Sequence, residues 1–152
     1  MGKITIAADH AGFLLKEEVK SFLSRQGWIV EDKGTGNESP ADYADYAAAV
    51  AGGISSGQYD RGILICGSGA GMSIVANKFP GVRATLCLDE EMAALSRRHN
   101  DSNILVLAGR LTNLDKALKI VTTWLETPFE GGRHQRRVDK IRAIEQKLLK
   151  GS

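Results

Sequence analysis

Gly62-Ile63-Leu64-Ile65-Cys66 is a continuous apolar run that leads into a cluster of three glycines, Gly67, Gly69 and Gly71. A short, uninterrupted apolar run is typical of a strand buried on both faces, as in a parallel sheet covered by helices. The glycines that follow it indicate a tight connection from this strand into a helix. This stretch therefore predicts an α/β fold built on a parallel sheet.

The same strand-then-helix alternation repeats on both sides of this stretch. The predicted strands cover 4–8, 28–30, 62–66, 83–88 and 104–108, and the predicted helices cover about 13–27, 42–56, 72–78, 90–98 and 114–125. Five such units with short connections predict an open, doubly wound (Rossmann-like) parallel sheet with helices on both faces. The strand order that we expect is 2-1-3-4-5.

The length and composition limit the classes of protein to consider. The chain has 152 residues, which leaves room for one compact domain over 1–152, and a net charge of +2 is too small for the positive field of a nucleic-acid-binding protein. Two cysteines, Cys66 and Cys87, are too few for a disulfide framework and lack the spacing of a zinc site. The first apolar run, 4–8, is too short for a signal peptide or a membrane span. We therefore expect a cytoplasmic protein that contacts neither nucleic acid nor membrane. We also expect no cofactor.

A last helix is predicted from 133 to 150, after the break at Gly131-Gly132. Its apolar stripe consists of Val138, Ile141, Ile144 and Leu148. Because the sheet is complete before this helix begins, the stripe packs either against its own domain or against a partner subunit. We expect it at a subunit interface.

Ligands of open α/β sheets bind beyond the carboxyl ends of the strands, where the strand order reverses. Here that point lies between the first strand, which is followed by Asp9 and His10, and the third strand, which ends at Cys66. The glycine loop after Cys66 offers backbone N–H groups and a helix N-terminus, which together suit an anion. It is neither a dinucleotide fingerprint, since Met72 stands where the third glycine belongs, nor a P-loop, which needs a Lys-Ser/Thr pair.

The side chains at this edge have more than one interpretation. A helix N-terminus favours the thiolate of Cys66, which suits a base or a nucleophile, although a cysteine in a strand is more often a buried small hydrophobe. We accept the buried interpretation for Cys87. Asp9 and His10 can exchange protons with a ligand, but Asp9 also suits a helix N-cap.

Arg133, Arg136 and Arg137 begin the last helix, where cations oppose the helix dipole. That placement favours the binding of a phosphate, and Arg110 follows the fifth strand at the ligand edge. His99 ends a helix that starts at the ligand edge and runs away from it. We therefore expect His99 to lie far from its own Cys66 and to complete the site of a neighbouring subunit.

Taken together, these motifs resemble the type B ribose-5-phosphate isomerases, a family that also includes allose-6-phosphate and galactose-6-phosphate isomerases. The resemblance covers nearly the whole chain and rests on Asp9-His10-Ala11-Gly12, Cys66-Gly67-Ser68-Gly69-Ala70-Gly71-Met72-Ser73, Asn77-Lys78, His99-Asn100-Asp101, Gly109-Arg110 and Phe129-Glu130-Gly131-Gly132-Arg133-His134. Ser68 is the main departure, since most relatives have threonine there. This difference leaves the preferred sugar open.

The resemblance implies a metal-independent aldose–ketose isomerisation of ribose 5-phosphate and ribulose 5-phosphate through a cis-enediolate, in a homodimer or tetramer with shared sites. It implies that Cys66 moves the proton, that His99 opens the sugar ring with help from Asp9, and that Ser68 assists at the sugar oxygens. The substrate contacts that it implies are Asp9, His10, the loop Gly67, Ser68, Gly69, Ala70 and Gly71, and then Asn100, Arg110, Arg133 and Arg137. Two other classes stay open: a sugar-phosphate-binding module without turnover, and a redox or interaction protein that uses Cys66.

Overall fold

The computed structural model describes residues 2–151, so Met1 and Ser152 of the predicted domain lie outside the described residues. The strands are β1 (Lys3–Ala8), β2 (Ile29–Asp32), β3 (Gly62–Cys66), β4 (Ala84–Leu86) and β5 (Ile104–Ala108). The helices are α1 (Phe13–Arg25), α2 (Tyr43–Ser55), α3 (Ala70–Ala76), α4 (Glu90–Asn100), α5 (Leu114–Glu126) and α6 (Arg133–Lys150), with a short 3₁₀ helix at His10–Gly12. The predicted alternation of strands and helices is confirmed.

The five strands form one parallel sheet with the order β2-β1-β3-β5-β4. The predicted order 2-1-3-4-5 is therefore wrong in its last two strands. All five residues of β5 are buried, whereas β4 has only three residues and all are half-buried. A strand that is apolar on both faces belongs in the interior of a sheet, and the short, more polar strand takes the edge.

Helices cover both faces of the sheet and bury two separate apolar cores. One core joins Ile4, Ile6, Ile63, Ile65, Leu105 and Leu107 of the sheet to Val19 and Leu23 of α1 and to Ala117, Ile120, Val121 and Trp124 of α5. The other joins Leu64 and Val106 to Val50 and Ala51 of α2 and to Met72 and Ala76 of α3. Because helices cover both faces of the sheet, a ligand can approach it at the ends of the strands.

Helix α6 lies largely outside both cores. Only His134 and Val138 of this helix are buried, while Ile141 and Ile144 are 46% and 61% exposed. The helix is attached to its own chain through Glu145, whose two carboxylate oxygens accept hydrogen bonds from the Gly81 N–H at 2.9 and 3.0 Å. The apolar stripe predicted on this helix is therefore buried within the chain at its start and exposed further along. Within residues 2–151, no helix has both the length and the apolar character that crossing a membrane requires.

Candidate active site

A cleft of about 310 Å³ opens at the carboxyl ends of β1, β3 and β5. We call it the carboxyl-edge cleft. It is lined by Asp9, His10, Ala11, Tyr43, Cys66, Gly67, Ser68, Gly71 and Arg110. The cleft therefore brings together, from three neighbouring strands, most of the residues that the sequence places at the ligand edge.

Two side chains after β1 are fixed by backbone hydrogen bonds. Oδ1 of Asp9 accepts a hydrogen bond from the Gly12 N–H at 3.1 Å, so this carboxylate both caps the 3₁₀ helix and lines the cleft. Nδ1 of His10 accepts from the Ala41 N–H at 3.1 Å. Because an accepting Nδ1 carries no proton, the neutral ring carries its proton on Nε2. His10 is thus held as a hydrogen-bond donor through Nε2.

Cys66 is the last residue of β3, and it is 4% exposed at the floor of the cleft. The loop after it turns directly into α3, and Oγ of Ser68 accepts a hydrogen bond from the Ala70 N–H at 3.3 Å. Among the described residues, the backbone N–H groups of Gly67, Ser68 and Gly69 have no hydrogen-bond partner. Unpaired N–H groups beside a thiol form a site for a negatively charged oxygen.

The glycines of this loop are required by close contacts. Gly69 has a φ of +80°, which favours glycine, and a Cβ there would overlap Cδ1 of Leu86. A Cβ at Gly71 would lie 2.5 Å from the ring of Tyr43, the first residue of α2. The sequence analysis missed Tyr43 as a wall of the cleft. The signal was its position at the start of a helix that follows β2, because such helices begin at the carboxyl edge.

Arg110 reaches the cleft because β5 lies next to β3. The Gly109 N–H donates to the Cys66 carbonyl at 2.8 Å, and the Arg110 N–H donates to the Gly67 carbonyl at 3.0 Å. These two bonds join the end of β5 to the start of the glycine loop. The predicted order would have put another strand between them, so the corrected order explains how a cation comes to lie beside the loop.

The remaining predicted site residues lie at the opposite edge of the sheet. Helix α4 follows β4 and runs back along the sheet, and Nε of Arg83, the residue before β4, donates to the carbonyl of Asn100 at 2.9 Å. The Glu130 N–H donates to the Arg98 carbonyl at 3.1 Å, which brings the start of α6 beside the end of α4. We call this group the amino-edge cluster. It consists of His99, Asn100, Glu130, Arg133, His134 and Arg137.

Two imidazoles are stacked in the amino-edge cluster. The rings of His99 and His134 have centroids 4.2 Å apart and planes 12° apart, and Nε2 of His134 lies 3.7 Å from Oε2 of Glu130. Burial and the charges of His99 and Arg133 lower the pKa of His134. One ligand atom each from His99, Glu130 and His134 lie within 4.8 Å of one another, so these three residues could hold a metal ion. The sequence analysis quoted Glu130 and His134 in a motif but gave them no role.

The two cysteines are both buried but lie in different surroundings. Cys87 follows β4 in the first apolar core and is fully buried, and its burial raises its pKa to about 11. A thiol with such a pKa remains protonated near neutral pH and is a poor nucleophile. Cys66 is therefore the cysteine that lines the cleft.

One copy of the chain divides the predicted site residues between the two edges of the sheet. Asp9, His10, Cys66, Ser68 and Arg110 line the cleft, whereas His99, Asn100, Arg133 and Arg137 belong to the amino-edge cluster. A strand of five residues is about 15 Å long, so His99 lies roughly one strand length from the cleft of the same chain.

Comparison with known proteins finds relatives that match nearly the whole chain. Residues 4–141 match the model of the family described as Ribose/Galactose Isomerase. The chain is 49% identical over 147 residues to the ribose-5-phosphate isomerase B of Escherichia coli (strain K12), covering 97% of this chain and 99% of that protein.

Two solved structures are similar to the whole fold. A ribose-5-phosphate isomerase B from Clostridium thermocellum superimposes with a TM-score of 0.94 at 51% identity, covering 96% of this chain and 99% of that one. The ribose-5-phosphate isomerase B from Mycoplasma genitalium, solved with bound ribulose-5-phosphate, has a TM-score of 0.92 at 41% identity and covers 95% and 97% of the two chains.

Proposed function

This chain belongs to the ribose/galactose isomerase family, and we propose that it interconverts D-ribose 5-phosphate and D-ribulose 5-phosphate. The observation that carries the proposal is the carboxyl-edge cleft, where the Cys66 thiol, three unpaired N–H groups and Arg110 surround one cavity. A base beside an anion site is what an aldose–ketose isomerisation needs. We place the reaction in the cytoplasm, in the non-oxidative pentose phosphate pathway, with 1–152 acting as a single domain.

The proton transfer is assigned to Cys66. In the open-chain aldose, the thiolate of Cys66 removes the proton on C2, and the electron pair moves toward the C1 carbonyl to give a cis-enediolate. The resulting thiol then returns a proton to C1, which leaves the ketone at C2. The hydroxyl of Ser68, exposed at the mouth of the cleft, assists proton movement between the two sugar oxygens.

The enediolate carries negative charge, and the loop after β3 provides donors for it. The N–H groups of Gly67, Ser68 and Gly69 are fixed by the backbone, so they need no reorganisation as charge develops. One such donor can contribute about 3–4 kcal/mol to stabilising the transition state. No metal is required to stabilise this intermediate, because the backbone supplies the positive dipoles.

We propose that the second half of each site comes from a partner subunit. His99 would open the furanose ring with Asp9 assisting, Asn100 would bind sugar hydroxyls, and Arg133 and Arg137 would bind the phosphate together with His10 and Arg110. Two observations support a homodimer: the two groups lie at opposite edges of the sheet, and Ile141 and Ile144 of α6 are exposed apolar side chains. Burying such side chains against a second copy stabilises the association.

A six-carbon aldose phosphate is the second candidate substrate. Ser68 keeps the hydroxyl of the threonine that is common at this position but lacks its methyl group, so the cleft is wider at this point. That extra space favours a larger sugar such as allose 6-phosphate or galactose 6-phosphate. The substitution Ser68→Thr tests this idea, because it should lower turnover of the six-carbon sugars more than that of ribose 5-phosphate.

The direct test is conversion of ribose 5-phosphate to ribulose 5-phosphate in the presence of EDTA, with allose 6-phosphate and unphosphorylated ribose assayed alongside. We expect turnover of the phosphorylated sugar and none without the phosphate. Tight binding without turnover would instead identify a sugar-phosphate-binding module. Indifference to all three sugars would favour the redox or interaction protein. In the variant Cys66→Ala, exchange of the C2 proton with solvent should be lost while substrate still binds.

A further inference from the structure

The amino-edge cluster contains two side chains, Glu130 and His134, that have no role in the proposed reaction but lie beside His99. We propose that His99, Glu130 and His134 form a site for a divalent transition-metal ion such as Zn²⁺, and that the bound ion reversibly inhibits the protein. The binding itself is independent of the proposed function. The inhibition rests on the proposed function, since His99 is the group that opens the sugar ring in that proposal.

The three side chains are held together by the backbone as well as by their own contacts. The Glu130 N–H is bonded to the Arg98 carbonyl, one residue before His99, and the His134 N–H donates to the Gly131 carbonyl at 3.0 Å. These bonds fix the segment 130–134 against the end of α4. The three potential ligand atoms consequently lie within 4.8 Å of one another.

The ligand atoms are also available. Within residues 2–151, no protein group forms a hydrogen bond with either imidazole, and the 3.7 Å contact between His134 Nε2 and Glu130 Oε2 is too long to be one. His134 is buried, His99 is half-buried and Glu130 is exposed. A metal ion could therefore approach from the solvent side, where the carboxylate lies, and meet one buried and one half-buried imidazole.

Two imidazoles and one carboxylate are a zinc ligand set that leaves the fourth position to water. Ligand atoms about 2.1 Å from a tetrahedral ion lie about 3.4 Å apart, so the separations here, which are at most 4.8 Å, must shrink by up to about 1.4 Å. The planes of the two rings are 12° apart, so their in-plane lone pairs lie in nearly parallel planes that do not converge on one ion. The half-buried ring of His99 must therefore turn out of the stack, and this rotation removes it from the position in which it would meet a sugar.

The neighbouring charges set the character of the site. Arg133 and Arg137 flank His134 and repel a cation, which weakens binding compared with a structural zinc site. The same arginines are proposed to bind the substrate phosphate. The ion should therefore act as a reversible inhibitor that competes with substrate, and it should not act as a resident cofactor.

The test uses Zn²⁺ on the EDTA-treated, desalted full-length protein, with binding measured by competition with a chromogenic chelator and activity measured separately. The informative variant is Glu130→Gln, because Glu130 has no part in the proposed reaction, and Glu126→Gln is the matched control at another exposed glutamate. We expect about one ion per chain, inhibition that EDTA reverses, and at least about tenfold weaker binding and inhibition in Glu130→Gln with unchanged activity without metal. Glu126→Gln should behave as the wild type.

The variant Cys66→Ala separates this site from the thiol of the carboxyl-edge cleft, since thiolates also bind Zn²⁺. Zinc binding that persists in Cys66→Ala supports the proposal, and zinc binding lost in Cys66→Ala or unchanged in Glu130→Gln overturns it. The two proposals fail in different ways. A protein that binds zinc without isomerising ribose 5-phosphate refutes the function alone, and one that isomerises the sugar without binding zinc refutes the metal site alone.

Discussion

The carboxyl-edge cleft and the amino-edge cluster hold their functional groups by different means. In the cleft, strand ends and backbone hydrogen bonds fix Cys66, His10 and the glycine loop. In the amino-edge cluster, a backbone hydrogen bond joins the loop before α6 to the end of α4, and the two imidazoles from these helices then meet only through a ring stack. The cleft is therefore suited to stabilising charge at fixed positions, whereas the cluster is suited to groups that must move with a ligand.

The largest expected effect comes from removing one group at each edge. Cys66→Ala and His99→Ala should each lower kcat by about 10³-fold, because each removes a proton-transfer group. If the site is shared between subunits, mixing the two inactive variants after dissociation restores one intact site in each hybrid dimer. Random pairing then gives about a quarter of the wild-type activity.

Activity of the mixture is measured with ribose 5-phosphate at saturating concentration. The matched control mixes Cys66→Ala with the double variant Cys66→Ala/His99→Ala, in which no hybrid contains an intact site and no activity should return. A mixture of the two single variants that forms hybrids but stays inactive would show that each site uses both residues of one chain.

The next largest effect is expected from a substitution in the glycine loop, and a second glycine with a similar φ distinguishes a steric overlap in the cleft from backbone strain alone. Gly69→Ala should lower kcat/KM by about 10²-fold, because the new Cβ overlaps Leu86 and displaces the N–H groups beside Cys66. Gly57 has nearly the same φ, +81° against +80°, but a Cβ there has open space around it. Gly57→Ala should therefore lose only about 1 kcal/mol of unfolding free energy and keep its activity.

Steady-state kinetics and urea unfolding of both variants distinguish the two effects. Equal losses of activity in Gly69→Ala and Gly57→Ala, at equal stability, would mean that the loop beside Cys66 has no special role.

The sequence predicted one edge of the sheet better than the other for a physical reason. Asp9 and His10 directly follow one apolar strand and Cys66 ends another, and a strand end fixes the edge on which such residues lie. Apolar character also marks β5 as a central strand, but connection length gave no reason to place it before β4. Tyr43 was missed because its role depends on the space above Gly71, a contact between distant segments.

The cluster at the other edge is set by longer-range contacts. The position of His99 followed from the direction of its helix, whereas its stacking on His134 depends on how α6 docks against α4. That docking is set by a backbone bond between Glu130 and Arg98, which no local pattern reveals. The sequence therefore predicted at which edge of the sheet these residues lie more fully than it predicted which of them meet.

A third effect concerns the stability of the cleft side of the sheet. Asp32, at the end of β2, accepts hydrogen bonds from the fully buried Lys16 at 2.5 Å and from Lys20 at 2.8 Å. Asp32→Asn leaves the buried Lys16 charge with only the more distant Glu17 carboxylate, 4.0 Å away, as a counter-ion. Because Asp32 is 24% exposed, we expect a loss of about 2 kcal/mol, less than for a fully buried pair.

The same carboxylate makes stability depend on pH. Burial raises the pKa of Asp32, but the hydrogen bonds from Lys16 and Lys20 outweigh burial, so its pKa lies below the ordinary 3.8. The folded state then binds fewer protons than the unfolded state, and its stabilisation is lost as the pH falls through the folded pKa. Urea unfolding between pH 7 and pH 3 should show a smaller acid loss in Asp32→Asn than in the wild type. The exposed control Asp60→Asn should follow the wild-type curve.

The smallest effect tests whether the ring stack of the amino-edge cluster positions His99. His134→Ala removes the ring that lies 4.2 Å from His99, so His99 should sample more orientations and kcat should fall by about tenfold. His134→Phe keeps an aromatic ring to stack on but removes both nitrogens. If stacking is what matters, His134→Phe should recover most of kcat, with KM for ribose 5-phosphate close to that of His134→Ala. A raised KM shared by both variants, with kcat unchanged, would instead show that the nitrogens of His134 bind the substrate phosphate. The amino-edge cluster would then hold its groups in fixed positions for binding, as the cleft does.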